Sequence, residues 1–160
     1  MGSDRSHDRD PQIIPNHKPK TINAMSTTTA TDYNAQAEDF LRKSGVKMSV
    51  SYFGYGPHFA GDTDTRHRYR VTFSRNGKRM QIMFGQSVAA GKTEPTAYDV
   101  LSCIQKYDVG TFEDFCHEFG YSEDSRTAER IYRAVLKECE GIARVFPQDD
   151  DSVEALREIQ

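Results

Sequence analysis

Arg66-His-Arg-Tyr-Arg-Val-Thr-Phe-Ser-Arg-Asn-Gly-Lys-Arg-Met-Gln-Ile-Met-Phe84 is the stretch whose reading decides the fold. Tyr69, Val71 and Phe73 alternate with Arg68, Arg70, Thr72 and Ser74, and Met80, Ile82 and Phe84 alternate with Arg79, Gln81 and Met83. Period-two patterning of this kind describes two strands, each with one apolar face. Asn76-Gly77 between them is the signature of a type I′ turn, which needs positive φ at both central residues. A two-residue turn pairs Arg75 with Lys78. It therefore sets Phe73 opposite Met80, Val71 opposite Ile82 and Tyr69 opposite Phe84, with all three apolar pairs on one face. A slip of one residue would break every pair. The other face is polar and basic, which predicts an antiparallel sheet covered by helices on one side only.

Upstream, residues 46–53 alternate as well, with Val46, Met48, Val50 and Tyr52 on one side. They predict a third strand, joined to the hairpin by a loop over residues 54–65. Residues 31–44 carry Tyr33, Ala37, Phe40 and Leu41 at helical spacing, behind a Thr31 or Asp32 cap and before Gly45 as the stop. Residues 1–30 hold no periodicity and one apolar pair, Ile13-Ile14. Such a segment cannot bury enough surface to offset its ordering entropy and is expected to be disordered. Within it, residues 1–24 read as an expression leader or upstream extension ahead of a second start at Met25, or else as a native flexible tail.

Downstream the patterning turns helical. Residues 95–107 place Ala97, Val100, Leu101, Ile104 and Tyr107 at core spacing, with Pro95 in the first turn. Thr111 to Gly120 reads as a short helix with both ends written in. Thr111 caps with Asp114 three residues on, Phe112, Phe115, Cys116 and Phe119 form an i, i+3, i+4, i+7 stripe, and Gly120 ends it. Its three phenylalanines are the expected anchors of the helical half. Residues 124–145 repeat Ala128, Ile131, Tyr132, Val135, Cys139, Ile142 and Ala143 on one side, continuing to Phe146. Ser152 then caps a last short helix over 153–159, after a solvated acidic turn at Asp149-Asp150-Asp151. The order α-β-β-β-α-α-α with a short C-terminal helix is that of a single α+β domain over residues 31–160, without βαβ alternation.

Charge divides along the same line. Residues 42–92 hold ten Lys/Arg against two Asp/Glu, a net of +8, and residues 93–160 hold seven against sixteen, a net of −9. This polarity concerns partners rather than fold. No apolar run approaches the length of a membrane span, and no secretory leader pattern is present. The three cysteines, Cys103, Cys116 and Cys139, have no CxxC spacing and read as free thiols buried in helices in a reducing compartment.

Candidate chemistry is sparse. His58, Asp62, Asp64 and His67 share one loop but lack metal-ligand spacing, and turn-forming aspartates explain them as well. Cys116 and His117 are neighbours on a helix, about 100° apart, and do not face each other. Gly85-Gln-Ser-Val-Ala-Ala-Gly-Lys-Thr93 ends like a phosphate loop. That motif requires Gly five residues before Gly91, where this chain has Gln86, and it runs on into a helix where this chain has Glu94-Pro95. No catalytic residue, metal ligand or cofactor loop is therefore assigned. The remaining candidate is a basic patch on the hairpin, comprising Arg66, Arg68, Arg70, Arg75, Lys78 and Arg79. It is suited to phosphate or acidic-protein contact, or to solvation and protection of a sheet edge. Single-strand binding would also need aromatics among the charges, and of the nearby rings only Phe53 is placed to face outward.

Thr93-Glu-Pro-Thr-Ala-Tyr-Asp-Val-Leu-Ser-Cys103, then Lys106-Tyr-Asp-Val-Gly-Thr-Phe-Glu-Asp-Phe-Cys-His-Glu-Phe-Gly-Tyr121 and Asp124-Ser-Arg126, resemble a family of small proteins encoded in bacteriophage and prophage genomes. The likeness extends more loosely from Tyr33 to Phe146. It brings no established activity and no functional residue. It implies a setting, expression in a bacterial host cytoplasm. The expectation is a non-enzymatic protein that binds a host or viral protein, with an inhibitor of bacterial immunity such as an anti-CRISPR protein fitting that setting. The alternative is a nucleic-acid-binding module using the basic hairpin face. No membrane partner is expected, and the long sheet edge allows a homodimer.

Overall fold

The computed structural model describes residues 26–57, 64–86 and 90–160. The expected leader over residues 1–24 lies outside them, as does the expected disorder of residues 1–30 as far as residue 25; residues 26–30 belong to the first helix. The chain order is α1 (Ser26–Ser44), β1 (Lys47–Pro57), β2 (Thr65–Arg75), β3 (Lys78–Gln86), α2 (Ala97–Cys103), α3 (Phe112–Phe119), α4 (Arg126–Val145) and α5 (Asp150–Arg157). The fold is α+β, with one antiparallel sheet in the order β1-β2-β3.

The hairpin has the register its turn dictates. Arg75 pairs with Lys78, Phe73 with Met80, Val71 with Ile82 and Tyr69 with Phe84. Asn76 (φ 52°) and Gly77 (φ 78°) supply the two left-handed residues that a type I′ turn requires. β1 adds to the other side of β2, with Met48 opposite Phe73, Val50 opposite Val71 and Tyr52 opposite Tyr69. The expected loop from Gly54 begins later. After a register shift between Tyr52 and Gly54, β1 continues to Pro57, so the extra residue, Phe53, is a bulge.

The helices cover one face of the sheet. Val71, Phe73, Met80 and Ile82 meet Phe40 and Leu41 of α1, Val100 and Leu101 of α2, Ile142 and Val145 of α4, and Leu156 of α5. Phe146, at the C-terminal cap of α4, joins the layers: its ring stacks on Phe40 at 6.0 Å and meets Phe73 edge-on at 5.2 Å. Helix α1 begins at Ser26, five residues before the expected start, and ends in a Schellman motif. There Gly45 N donates to Arg42 O and Val46 N to Leu41 O, with Val46 and Leu41 both buried.

Gly141 of α4 is buried against β3, and a Cβ placed there would sit 2.9 Å from Met80 Cε and 3.0 Å from Met80 Cβ. A glycine inside a helix is unfavourable by about 0.5–1 kcal/mol relative to alanine. Here its missing side chain is what lets the helix backbone lie close to the strand. The inner face of α4 is the expected stripe, Ala128, Ile131, Tyr132, Val135, Cys139, Ile142 and on to Phe146, except that Ala143 is exposed and Gly141 and Val145 are buried in its stead.

Helix α3 has the capping box read from sequence, Thr111 with Asp114, and a left-handed Gly120 at its end. Its role differs from the expected anchor. Phe115, Cys116 and Ala128 form a small cluster of their own, with Phe112, Ile131 and Tyr132 packed around it. Phe119 is 58% exposed. A 20-residue helix is about 30 Å long. The C-terminal part of α4 therefore packs on the sheet while its N-terminal part carries α3 as an arm. Helix α2 stops at Cys103, because Ile104 turns extended (ψ 152°), and its cap is Thr96 with Asp99. Helix α5 is capped by Asp149, whose side chain accepts from Ser152 N, so Asp150 and Asp151 lie in its first turn. Of the cysteines, Cys116 is buried, Cys139 half-buried and Cys103 exposed, which corrects the expectation of three buried thiols.

Candidate functional site

The face of the sheet turned away from the helices carries Arg66, Arg68, Arg70 and Arg79, which share the parity of Thr72 and Ser74 or pair with it. Arg75 and Lys78 have the opposite parity, at the hairpin tip. Arg75 is committed to structure, since its Nε donates to Val145 O at 2.6 Å and so satisfies a carbonyl at the end of α4. Arg66 lies 3.8 Å from Asp64, an exposed pair of small energetic weight. Among the described residues no carboxylate pairs with Arg68, Arg70 or Arg79.

The bulge puts an aromatic ring among these charges. Phe53 is 44% exposed, with the Arg68 guanidinium 4.9 Å and the Arg70 guanidinium 4.7 Å from its centroid. Such contacts are attractive because the cation meets the negative face of the ring. Arg68 is held further. Its Nε donates to Gly54 O at 3.2 Å and its Nη1 to Pro57 O at 3.4 Å. Its guanidinium passes so close to Gly56 that a Cβ there would lie 2.8 Å from Arg68 Cζ. Gly54-Tyr-Gly56 is thus a seat for Arg68 rather than a flexible loop. This leaves three of its five N–H donors for an incoming acceptor.

The same bulge restores Tyr55 to the inner side, opposite His67, where the helices do not cover the sheet end. Tyr55, His67, Tyr52 and Tyr69 follow one another at centroid distances of 5.1, 5.9 and 5.3 Å. Tyr52 Oη lies 2.9 Å from His67 Nδ1, and Thr65 Oγ1 donates to Tyr55 Oη at 2.8 Å. Lys92 Nζ stands 4.1 Å above the Tyr52 ring. Tyr52 and Tyr55 are 42% and 56% exposed, whereas Tyr69 is buried, and that burial, followed by the nearness of Tyr52, raises its hydroxyl pKa. Sequence reading placed Tyr52 with the core. Alternation gives the side of the sheet but not how far along the strand the helices reach.

The other candidates separate. His58 and Asp62 lie outside the described residues, and among the described residues no group of three or more His, Cys, Asp or Glu is arranged to hold a metal. Cys116 is buried while His117 is exposed, so the two do not meet; burial, and secondarily Glu123, pushes the Cys116 thiol pKa up. Gln86 Nε2 donates to Thr93 O at 2.9 Å, which ties together the two ends of the intervening loop. The next helix begins only at Ala97, so no helix N-terminus stands behind Gly91-Lys92-Thr93 to receive a phosphate. An open groove of about 310 Å³ between α1 and α5 is lined by Phe40, Lys43, Ala155, Ile159 and neighbouring polar residues. On the arm, residues 108–124 hold six Asp/Glu and no Lys or Arg, and Phe119 and Tyr121 are exposed among them. No helix among the described residues is long and apolar enough to cross a membrane. Comparison with protein-family models, with curated proteins and with solved structures found no match, so the likeness to small phage proteins rests on the quoted motifs alone.

Proposed function

We propose that the protein acts by binding rather than catalysis, and that the ligand of its open sheet face is nucleic acid. The observation that carries this reading is Phe53, an exposed ring with the Arg68 and Arg70 guanidiniums against it on a face that no helix covers. A face that served only to be solvated would gain nothing from a partly exposed phenylalanine. Cationic groups around an aromatic plane are what a polyanion with stacking bases requires. The acidic helices pack on the opposite face of the sheet, so their charge stands away from a phosphate chain approaching the arginines.

Fluorescence anisotropy with labelled oligonucleotides tests the reading. Affinity should fall with salt, with a log–log slope near −0.7 to −0.9 per phosphate contacted, and Arg70→Glu with Arg79→Glu, whose guanidiniums do not hold the bulge as Arg68 does, should abolish binding while the melting temperature is kept. Absence of any binding at low salt would refute it.

The acidic arm favours a second reading, contact with a protein. Phe119 and Tyr121 are exposed among carboxylates, as at surfaces that dock basic partners. In the bacterial cytoplasm that the phage resemblance implies, a host or viral protein would be the partner, and inhibition of bacterial immunity the outcome. Capture of one specific partner from bacterial lysate by the wild type, lost in Phe119→Ala with Tyr121→Ala, is the expected result. Equal capture by both proteins would remove the arm from consideration.

A further inference from the structure

Strand β1 is an edge strand, and its last residues carry rings on both sides of the sheet. Without the bulge, positions 53 and 55 would share one face. With it, Phe53 faces the arginine side, while Tyr52 and Tyr55 lie together on the inner side beyond the helices. The rings of Tyr52, Tyr55 and His67 are tilted to one another by 45° and 61°, so they do not fill one another's faces by stacking. Lys92 adds a cation on that inner side, as Arg66, Arg68 and Arg70 do on the outer one. A flexible strand can run along the arginines and turn over this edge, laying unpaired bases on rings to either side. A duplex cannot, because its bases are already stacked and its width does not bend around one β-strand.

We propose that this end of the sheet is selective for single-stranded nucleic acid, with phosphates on the arginine face and bases stacked on Phe53 and, across the β1 edge, on Tyr55 and Tyr52. The inference rests on the nucleic-acid reading above and narrows its ligand. The rings supply the preference for unpaired bases, and the arginines supply the charge-dependent attraction that single and double strands share.

The test compares a labelled oligothymidylate of about 15 nucleotides, near the upper end of what one small domain covers, with a duplex of the same length. The proteins are the wild type, Phe53→Ala, Tyr55→Ala and Tyr55→Phe. The wild type should prefer the single strand. Each alanine variant should bind it about 5- to 150-fold more weakly, with an unchanged salt slope. Tyr55→Phe should bind like the wild type, since stacking uses the ring and not the hydroxyl. Both sites are substantially exposed, so the variants are expected to fold, and melting curves verify it. Equal wild-type affinity for duplex and single strand would overturn single-strand selectivity and leave the nucleic-acid reading standing, as would alanine variants that bind the single strand like the wild type. Failure of the wild type to bind either oligonucleotide would bring down both.

Discussion

Adding one methyl group to Gly141 probes how α4 is seated on the sheet. The new Cβ would lie 2.9, 3.1 and 3.0 Å from Met80 Cε, Sδ and Cβ. The thioether can rotate away, but Met80 Cβ is fixed to β3, so relief requires the helix to lift from the strand. Two opposing effects set the outcome. Alanine favours the helix over glycine by about 0.5–1 kcal/mol, and overpacking a filled interior costs about 1–3 kcal/mol. The balance is a loss of roughly 0.5–2 kcal/mol, which lowers the melting temperature by roughly 2–6 °C in a domain of this size. Urea unfolding followed by far-ultraviolet circular dichroism, at unchanged m-value, measures it. Met80→Ala in the Gly141→Ala background should lose less than the two single changes together, with a coupling of about 0.5–3 kcal/mol. If Gly141→Ala instead raised stability by its helix propensity, the close approach of α4 to β3 would be wrong.

Phe146→Ala should cost about 3–5 kcal/mol because its ring joins three layers, whereas Phe119→Ser should stay within about 0.5 kcal/mol, and chemical denaturation distinguishes the two. Thr111→Ala removes the cap of α3 and should cost about 1 kcal/mol. Its effect should show as faster amide exchange in residues 112–119 with little change on the sheet. Lys106 Nζ donates to the carbonyls of Leu156 and Ile159, and burial pulls its pKa down to about 8 from an unfolded value near 10.4. Between those values the unfolded chain binds more protons at this site than the folded one. Wild-type stability should therefore rise with pH relative to Lys106→Met across that window, and the difference between the two proteins should stop changing with pH below about 8, where the cost of burying the charge is constant. Urea midpoints of both proteins at either end of the window check the sign.

The hairpin was legible because its information is local. Asn76-Gly77 admits one turn, that turn admits one register, and the apolar residues agree with it. Helix ends were legible for the same reason at Thr111, Asp114 and Gly120. What escaped was set by distant residues. The stripe Phe112, Phe115, Phe119 shows that α3 is amphipathic, but not that its partner is only the near end of α4. Arg75 reads as one more surface cation until Val145 O, seventy residues away, takes its Nε–H. Gly54 and Gly56 read as loop formers, because nothing nearby says that Arg68 will lie across them. The bulge at Phe53 is the costliest omission for function. It decides which rings stand with the arginines, and strand alternation alone would have placed Tyr55 on the wrong side.

The small cluster of Phe115, Cys116 and Ala128 stands apart from the main core and is joined to it by the length of α4 and by the segment between α2 and α3, which bonds to α4 through Glu138, Cys139 and Tyr132. Among the described residues, the small cluster holds three buried residues against seventeen in the main core, so far less burial opposes its opening. The chain therefore has two units of different strength on one continuous helix. The arm should open and close many times during one lifetime of the sheet. Native-state exchange would show α3 and the first turns of α4 released together, at a free energy well below that of β2 and β3. A partner that grips the arm would be met by a part more readily remodelled than the sheet, while the arginine face keeps its shape.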